Sequence, residues 1–230
     1  MLSRSAAPIL ASLAILACLA TPALCRAQAA GQESAAPAGP TYFARIQELA
    51  PDLRERMTGV SWRQGCPVGL DDLRLVELAY WGMDGESRTG RLVVHKDVAQ
   101  DVADIFGDLY EARFPIERME LVDEYGGDDN ASMAANNTSA FNCRNVPGTS
   151  SLSRHSYGVA VDVNPLLNPY IRGSEVLPPL GEAYADREQA VPGLITAGDA
   201  CCEAFVSRGW TWGGEWVNSK DYQHFQSDLP

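Results

Sequence analysis

Only three histidines occur in the 230 residues, His95, His155 and His224, and two of them sit where metal chemistry is possible. His155 lies seven residues before Asp162, and the intervening Tyr157-Gly158 allows a bend that brings both side chains to one point. His224 lies six residues from the C-terminus in Lys-Asp-Tyr-Gln-His-Phe-Gln, three residues after Asp221. A single helical turn would put Asp221 and His224 on one face. Two histidines and an aspartate make the ligand set of a catalytic zinc, which leaves a fourth position open for water. A carboxylate at Asp221, next to a ligand, then stands where a general base is needed. Taken singly, each histidine reads more simply as a surface or capping residue, Asp162 as a turn residue and Asp221 as a helix N-cap. Their combination favours metal. His95 falls outside both clusters and reads as structural.

These residues need elements to hold them. Val159 to Asn164 alternates apolar and small or polar residues, the pattern of a half-buried strand, with the valines toward a core and Asp162 toward a cleft or solvent. Gly158 and Ala160 are small, which would let this strand bend and leave room for a substrate. Leu73 to Trp81 and Gly90 to Val94 are strand-forming runs about a Met-Asp-Gly-Glu-Ser turn, a β-hairpin. Asp97 is expected to cap a helix with Val98, Val102, Ile105, Phe106, Leu109 and Tyr110 on one stripe. Thr41 to Met57 has helical spacing broken at Pro51, and Ile116 to Val122 reads as a strand. Glu124 to Asn137 reads as a loop, in which Ser132, Asn136 and Asn137 could line a cleft. Pro165 to Pro192 is a proline-rich excursion and a possible flap. Asp199 to Arg208 is a short helix, and Gly209 to Trp216 a last strand whose tryptophans belong to the core or the pocket floor. Strands and helices do not alternate regularly, so the fold class is α+β with a small antiparallel sheet and flanking helices.

The pattern Ser153-x-His155-x-x-Gly158-x-Ala160-x-Asp162, followed by Asp221-x-x-His224, resembles the VanY-type D-alanyl-D-alanine carboxypeptidase family of zinc peptidases. Ser132 to Arg144 is similar to the segment that precedes the metal motif in that family, so the likeness runs roughly from Tyr80 to Gln226. It implies the small fold shared with Hedgehog signalling domains, a zinc cleft on the sheet, and one zinc per chain on His155, Asp162 and His224. It implies Asp221 as base, where many members carry the longer Glu. It further implies Arg144 as a group holding the substrate carbonyl oxygen as charge develops, and Ser153 as a contact to the substrate carboxylate or an orienting group. The implied substrate is a peptidoglycan stem peptide, cut at the terminal D-Ala-D-Ala amide. Alternatives are an L-alanyl-D-glutamate or L,D-type peptidase, and a wall-peptide binding module that keeps the zinc without turnover.

The chain begins as a secretory leader over 1–29: Arg4 precedes an apolar run from Ile9 to Ala20 that is too short to span a bilayer. Cys18 lies in a lipoprotein-like box, so lipid anchoring is an alternative to a free periplasmic or extracellular protein. Residues 30–40 are a flexible linker, and 41–230 a single peptidase domain. The net charge of -12 argues against nucleic acid as a partner. The six cysteines include two in the leader. The other four, Cys66, Cys143, Cys201 and Cys202, are expected to form two disulfides in an exported protein, the adjacent pair bonding to different partners. A cysteine zinc site is the rival reading, weakened by the absence of a Cys-x-x-Cys pair.

Overall fold

The computed structural model describes residues 40–228; the leader and linker readings over 1–39 lie outside them. In chain order the elements are β1 (Ala44–Glu48), α1 (Pro51–Met57), β2 (Leu73–Trp81), β3 (Ser87–His95), α2 (Ala99–Glu111), β4 (Arg118–Met119), α3 (Asp129–Ala134), β5 (Asn137–Thr138), β6 (Ala160–Asp162), β7 (Tyr170–Arg172), β8 (Glu175–Leu177), α4 (Ala200–Val206), β9 (Thr211–Trp212), β10 (Lys220–Asp221) and β11 (His224–Gln226). The class is α+β, as expected. Instead of one sheet there are three small antiparallel sheets, ordered β1-β2-β3, β10-β7-β8 and β6-β11-β9, with a parallel β4-β5 pair.

The core lies between the first sheet, α2, α4 and the β6-β11-β9 sheet. Val102, Ile105, Phe106 and Leu109 of α2 are buried in it, as are Val159, Val161 and Val163. Each such side chain contributes about 1.5–3 kcal/mol of transfer free energy. In the β6–β11 pair, His224 stands opposite Asp162 and Phe225 opposite Val161. Period two therefore sends the two polar side chains to one face and the apolar pair to the core. Phe225 stacks on Phe205 of α4 at 4.0 Å between centroids.

Several expectations are corrected. Thr41 to Met57 is not one interrupted helix. Its first half pairs with β2 from Ala44↔Leu78 to Glu48↔Arg74, because the open edge of β2 supplies hydrogen bonds that outweigh the local spacing. Pro51 then starts α1, where its missing N–H costs nothing. Asp97 does not cap α2: the N-cap is Val98, without a side-chain bond, and the Asp97 N–H donates to His95 Nδ1 at 3.3 Å. Only Arg118–Met119 of Ile116 to Val122 is strand. The expected loop over Glu124 to Asn137 contains α3, whose N-terminus Asp128 caps by accepting from Asn130 and Ala131. The last strand is β11, not Gly209 to Trp216, where only Thr211–Trp212 pairs. Trp212 is core, whereas Trp216 is half-buried on the cleft.

Cys66 and Cys143 form a disulfide that closes 77 residues, worth about 4 kcal/mol in the chain-entropy account. Among the described residues the expected second bridge is absent: Cys201 and Cys202 are free and buried. Their expected partners bond each other, and α4 directs both thiols inward. Burial pushes the Cys201 thiol well up and raises that of Cys202. Among the described residues no helix is long and apolar enough to cross a membrane.

Gly158 takes φ +70°, and its carbonyl accepts the His95 N–H at 2.8 Å. A Cβ there would lie 2.6 Å from the His95 nitrogen. The glycine permits the bend, as expected, but what crowds it is β3 rather than a substrate. Neither Gly158 nor Ala160 lines the cleft. Gly158→Ala is expected to destabilise the fold by about 2–4 kcal/mol, from left-handed strain and overpacking, read as a lowered urea midpoint at unchanged slope.

Candidate metal centre

His155, Asp162 and His224 converge as the sequence spacing suggests, through different local structure. His155 sits on the 3-10 turn Arg154–Tyr157, whose N-terminus Ser153 caps by accepting the His155 N–H at 3.3 Å. Gly158 ends the turn and leads into β6, which carries Asp162. Asp221 and His224 do not share a helical turn. They lie on β10 and β11 across a two-residue turn, because β10 pairs with β7 while β11 pairs with β6 and β9.

One ligand atom from each of the three residues lies within 4.8 Å of the others, all buried. His155 Nε2 is 3.1 Å from Asp162 Oδ2, His224 Nδ1 is 3.0 Å from Asp162 Oδ1, and the two ring nitrogens are 3.2 Å apart. The outward nitrogens decide the chemistry. His155 Nδ1 meets the Ala140 carbonyl at 2.6 Å, and His224 Nε2 meets Gln226 Oε1 at 3.1 Å. Both oxygens only accept, so both outward nitrogens must donate. Each neutral ring then aims a lone pair inward, at the other ring and at a carboxylate. That arrangement is stable only around a cation, and the outer-shell acceptors fix the tautomers a metal needs. Burial opposes a charge on Asp162, yet both histidines hold its carboxyl well below the usual range. Burial likewise disfavours a charged His224, and the Asp162 carboxylate, helped by Asp221, instead holds it up at about 8. Without metal, a proton occupies the centre.

The cluster forms the inner end of a cleft of about 610 Å³. Asp221 lines it, and burial pushes its carboxyl up to about 6 against the downward pull of His224. Its Oδ1 has no hydrogen-bond partner among the described residues, while hydrogen bonding from the Gln223 side chain also pulls the carboxyl down. Arg144 also lines the cleft, with Nη2 2.8 Å from Asp129 Oδ2. The cation is therefore shared with an acid on α3, in the stretch read as loop. Ser153 is 6% exposed and lines the same wall, occupied as the cap beneath His155. Ser132, Asn136 and Asn137 do not line the cleft. They brace the backbone: Asn137 Oδ1 accepts the Glu120 N–H at 2.8 Å, and Asn136 Oδ1 the Leu166 N–H at 2.9 Å. The proline-rich excursion forms a wall through Tyr170, Arg172 and Leu177.

Besides Asp129, four contributors escaped the sequence reading. Gln226, two residues after His224, shares its face of β11, and that spacing was a usable signal. Trp216, whose ring is 5.4 Å from His224, was left between core and pocket. The Ala140 carbonyl is backbone and left no signal. Gln223 is 2% exposed and lines the cleft.

Residues 147–227 match the family model described as D-alanyl-D-alanine carboxypeptidase, about a third of the chain. The matched segment contains Ser153, the three metal-cluster residues and Asp221, but ends short of Arg144. No curated protein and no solved structure matches the chain. The segment that builds the cluster is thus similar to D-alanyl-D-alanine carboxypeptidases over those residues.

Proposed function

We propose that the protein is an exported zinc-dependent peptidase that hydrolyses an amide in the peptidoglycan stem, in the first instance the terminal D-Ala-D-Ala bond. The observation that carries this is the cation-requiring face-off of two imidazole lone pairs and Asp162, with the Asp221 carboxyl, whose Oδ1 has no donor among the described residues, beside it in the cleft. The donor set, two nitrogens and a carboxylate, suits zinc and leaves room for a fourth ligand. When bound, the metal supplies Lewis acidity and an acidified water. The disulfide fits an oxidising compartment outside the cytoplasm.

The chain's own residues then divide the work. Asp221 takes the proton as the water oxygen bonds to the amide carbon. It returns that proton to the nitrogen as the carbon–nitrogen bond breaks, releasing an amine and a carboxylate. Its raised pKa suits both directions of transfer near neutral pH. Arg144 faces charge developing on the carbonyl oxygen, with Asp129 fixing the guanidinium. Ser153 holds His155 by capping its turn.

Zinc is expected to raise the melting temperature of the wild type and to do so far less in His224→Ala. Loaded protein should release one terminal D-alanine from a stem pentapeptide, read by mass spectrometry, and Asp221→Ala should lower the rate by about 10² to 10⁴. Release at the L-alanine bond would keep the chemistry and change the substrate. Zinc binding without cleavage of any stem would replace the peptidase by a binding module.

Asp221→Asn carries a second expected outcome, on stability. The folded carboxyl binds its proton near pH 6, the unfolded one near 4, so the wild type loses stability as pH rises through that window. Above it the full penalty stands, at most about 3 kcal/mol. Metal-free Asp221→Asn should equal the wild type near pH 4 and exceed it at pH 7 in urea unfolding, while losing activity when loaded.

A further inference from the structure

Gln223 stands between Asp221 and His224, and its backbone is pinned where its carbonyl accepts the Val163 N–H at 3.0 Å. Its side chain is 2% exposed and lines the cleft. Its Oε1 has no donor among the described residues, and neither has Asp221 Oδ1. A buried amide oxygen without a donor is costly to keep. The inner end of the cleft is therefore rich in acceptors: two carboxylates, two inward imidazole nitrogens and this oxygen, while the Gln223 amide N–H is engaged by the Asp221 carboxyl. A cation satisfies the metal cluster, and the attacking water brings a proton to Asp221. Gln223 Oε1 is left over, and its donor must enter with the ligand.

We propose that Gln223 contacts the substrate directly, its Oε1 accepting a hydrogen bond from the nitrogen of the bond to be cut, so that the site selects an amide over an ester of the same shape. The inference rests on the peptidase reading above. An amide nitrogen carries a hydrogen before cleavage and, as the departing amine, still carries one afterwards, so one acceptor serves both states. An ester oxygen carries none. It would set lone pair against lone pair at Gln223, and a buried polar group left unpaired is what gives a site strong discrimination.

The test uses two matched stem peptides, one with the amide and one with oxygen in place of the scissile nitrogen. Values of kcat/KM are measured for both with zinc-loaded wild type, Gln223→Met, which keeps the length and loses the acceptor, and Gln223→Asn, which withdraws it by one methylene. Metal content and thermal melting are recorded for each. Disturbance of the fold slows both peptides alike and cancels in the amide-to-ester ratio, and an unchanged pH profile of ester cleavage shows that Asp221, which also protonates the departing amine, is undisturbed. A ratio that falls only together with a shifted profile would assign the effect to Asp221 and overturn the contact. The ratio is expected to fall about fivefold to tenfold in Gln223→Met and to fall in Gln223→Asn, with one zinc retained per chain. If the Met variant fails to fold, the Asn variant gives the same comparison. An unchanged ratio in a folded, zinc-loaded variant would overturn the assignment of Gln223 while leaving the peptidase standing. Wild type that cleaves neither peptide would overturn the peptidase reading, and this inference with it.

Discussion

The register of β6 against β11 is the constraint on which the site depends. His224 is set opposite Asp162 and Phe225 opposite Val161. Side chains on paired strands alternate, so a slip of one residue would turn Phe225 into the cleft and drive His224 against Phe205. The apolar face forbids the slip: Phe225 stacks on Phe205, and Val159, Val161 and Val163 have no accessible surface. The geometry of the candidate metal ligands is thus set by hydrophobic packing on the opposite face of the same strands. His155 arrives by a separate route, its turn capped by Ser153 and ended by Gly158, whose carbonyl is tied to β3.

The second requirement is electrostatic. The protein collects carboxylates and lone pairs at the buried end of a cleft in a chain that is already acidic overall. Acceptors packed without donors are held there by a core that over-determines their positions, a local cost typical of sites shaped for a ligand. The cleft also gathers arginines at 144, 154 and 172 against carboxyls at 129, 162, 175 and 221. Arg144 is restrained by Asp129. A bound guanidinium loses less freedom on meeting a carbonyl oxygen than a free one would.

Legibility followed the reach of each signal. The three cluster residues and Asp221 were readable from residue type and spacing, since few histidines leave few combinations. The β2–β3 hairpin and the valine strand were readable because period two is imposed by burial on one face. Local structure around Asp221 and His224 was not: a spacing of three fits a helical turn, and only the separate partners of β10 and β11 make it a strand-to-strand turn. The strand at Ala44–Glu48 escaped for the same reason, its conformation being decided by the edge of β2. Disulfide pairing failed because cysteine counting cannot tell a bridge from a buried thiol on α4. Gln223 and Asp129 were invisible as site residues, since glutamine and aspartate in such contexts are ordinary.

The proline-rich stretch after the metal strand has a function that its composition concealed. Arg187, inside it, donates to the carbonyls of Leu167, Tyr184 and Ile195 and to Asn168 Oδ1, at 2.6 to 3.0 Å. Burial pushes this guanidinium down to about 10, a cost borne because its donors bind several turns of irregular chain into one body. Its guanidinium carbon lies 4.3 Å from the centre of the Tyr222 ring, and the Tyr222 carbonyl accepts Trp212 Nε1–H at 2.9 Å. Tyr222 is the residue between Asp221 and Gln223. The turn that carries Asp221, the proposed base, is therefore clamped on one side by the excursion and on the other by the core. A base must stand within a fraction of an ångström of its proton to be useful, and a free two-residue turn between short strands could not hold it there. The irregular wall of the cleft and the position of Asp221 are both tied to the same half-buried arginine.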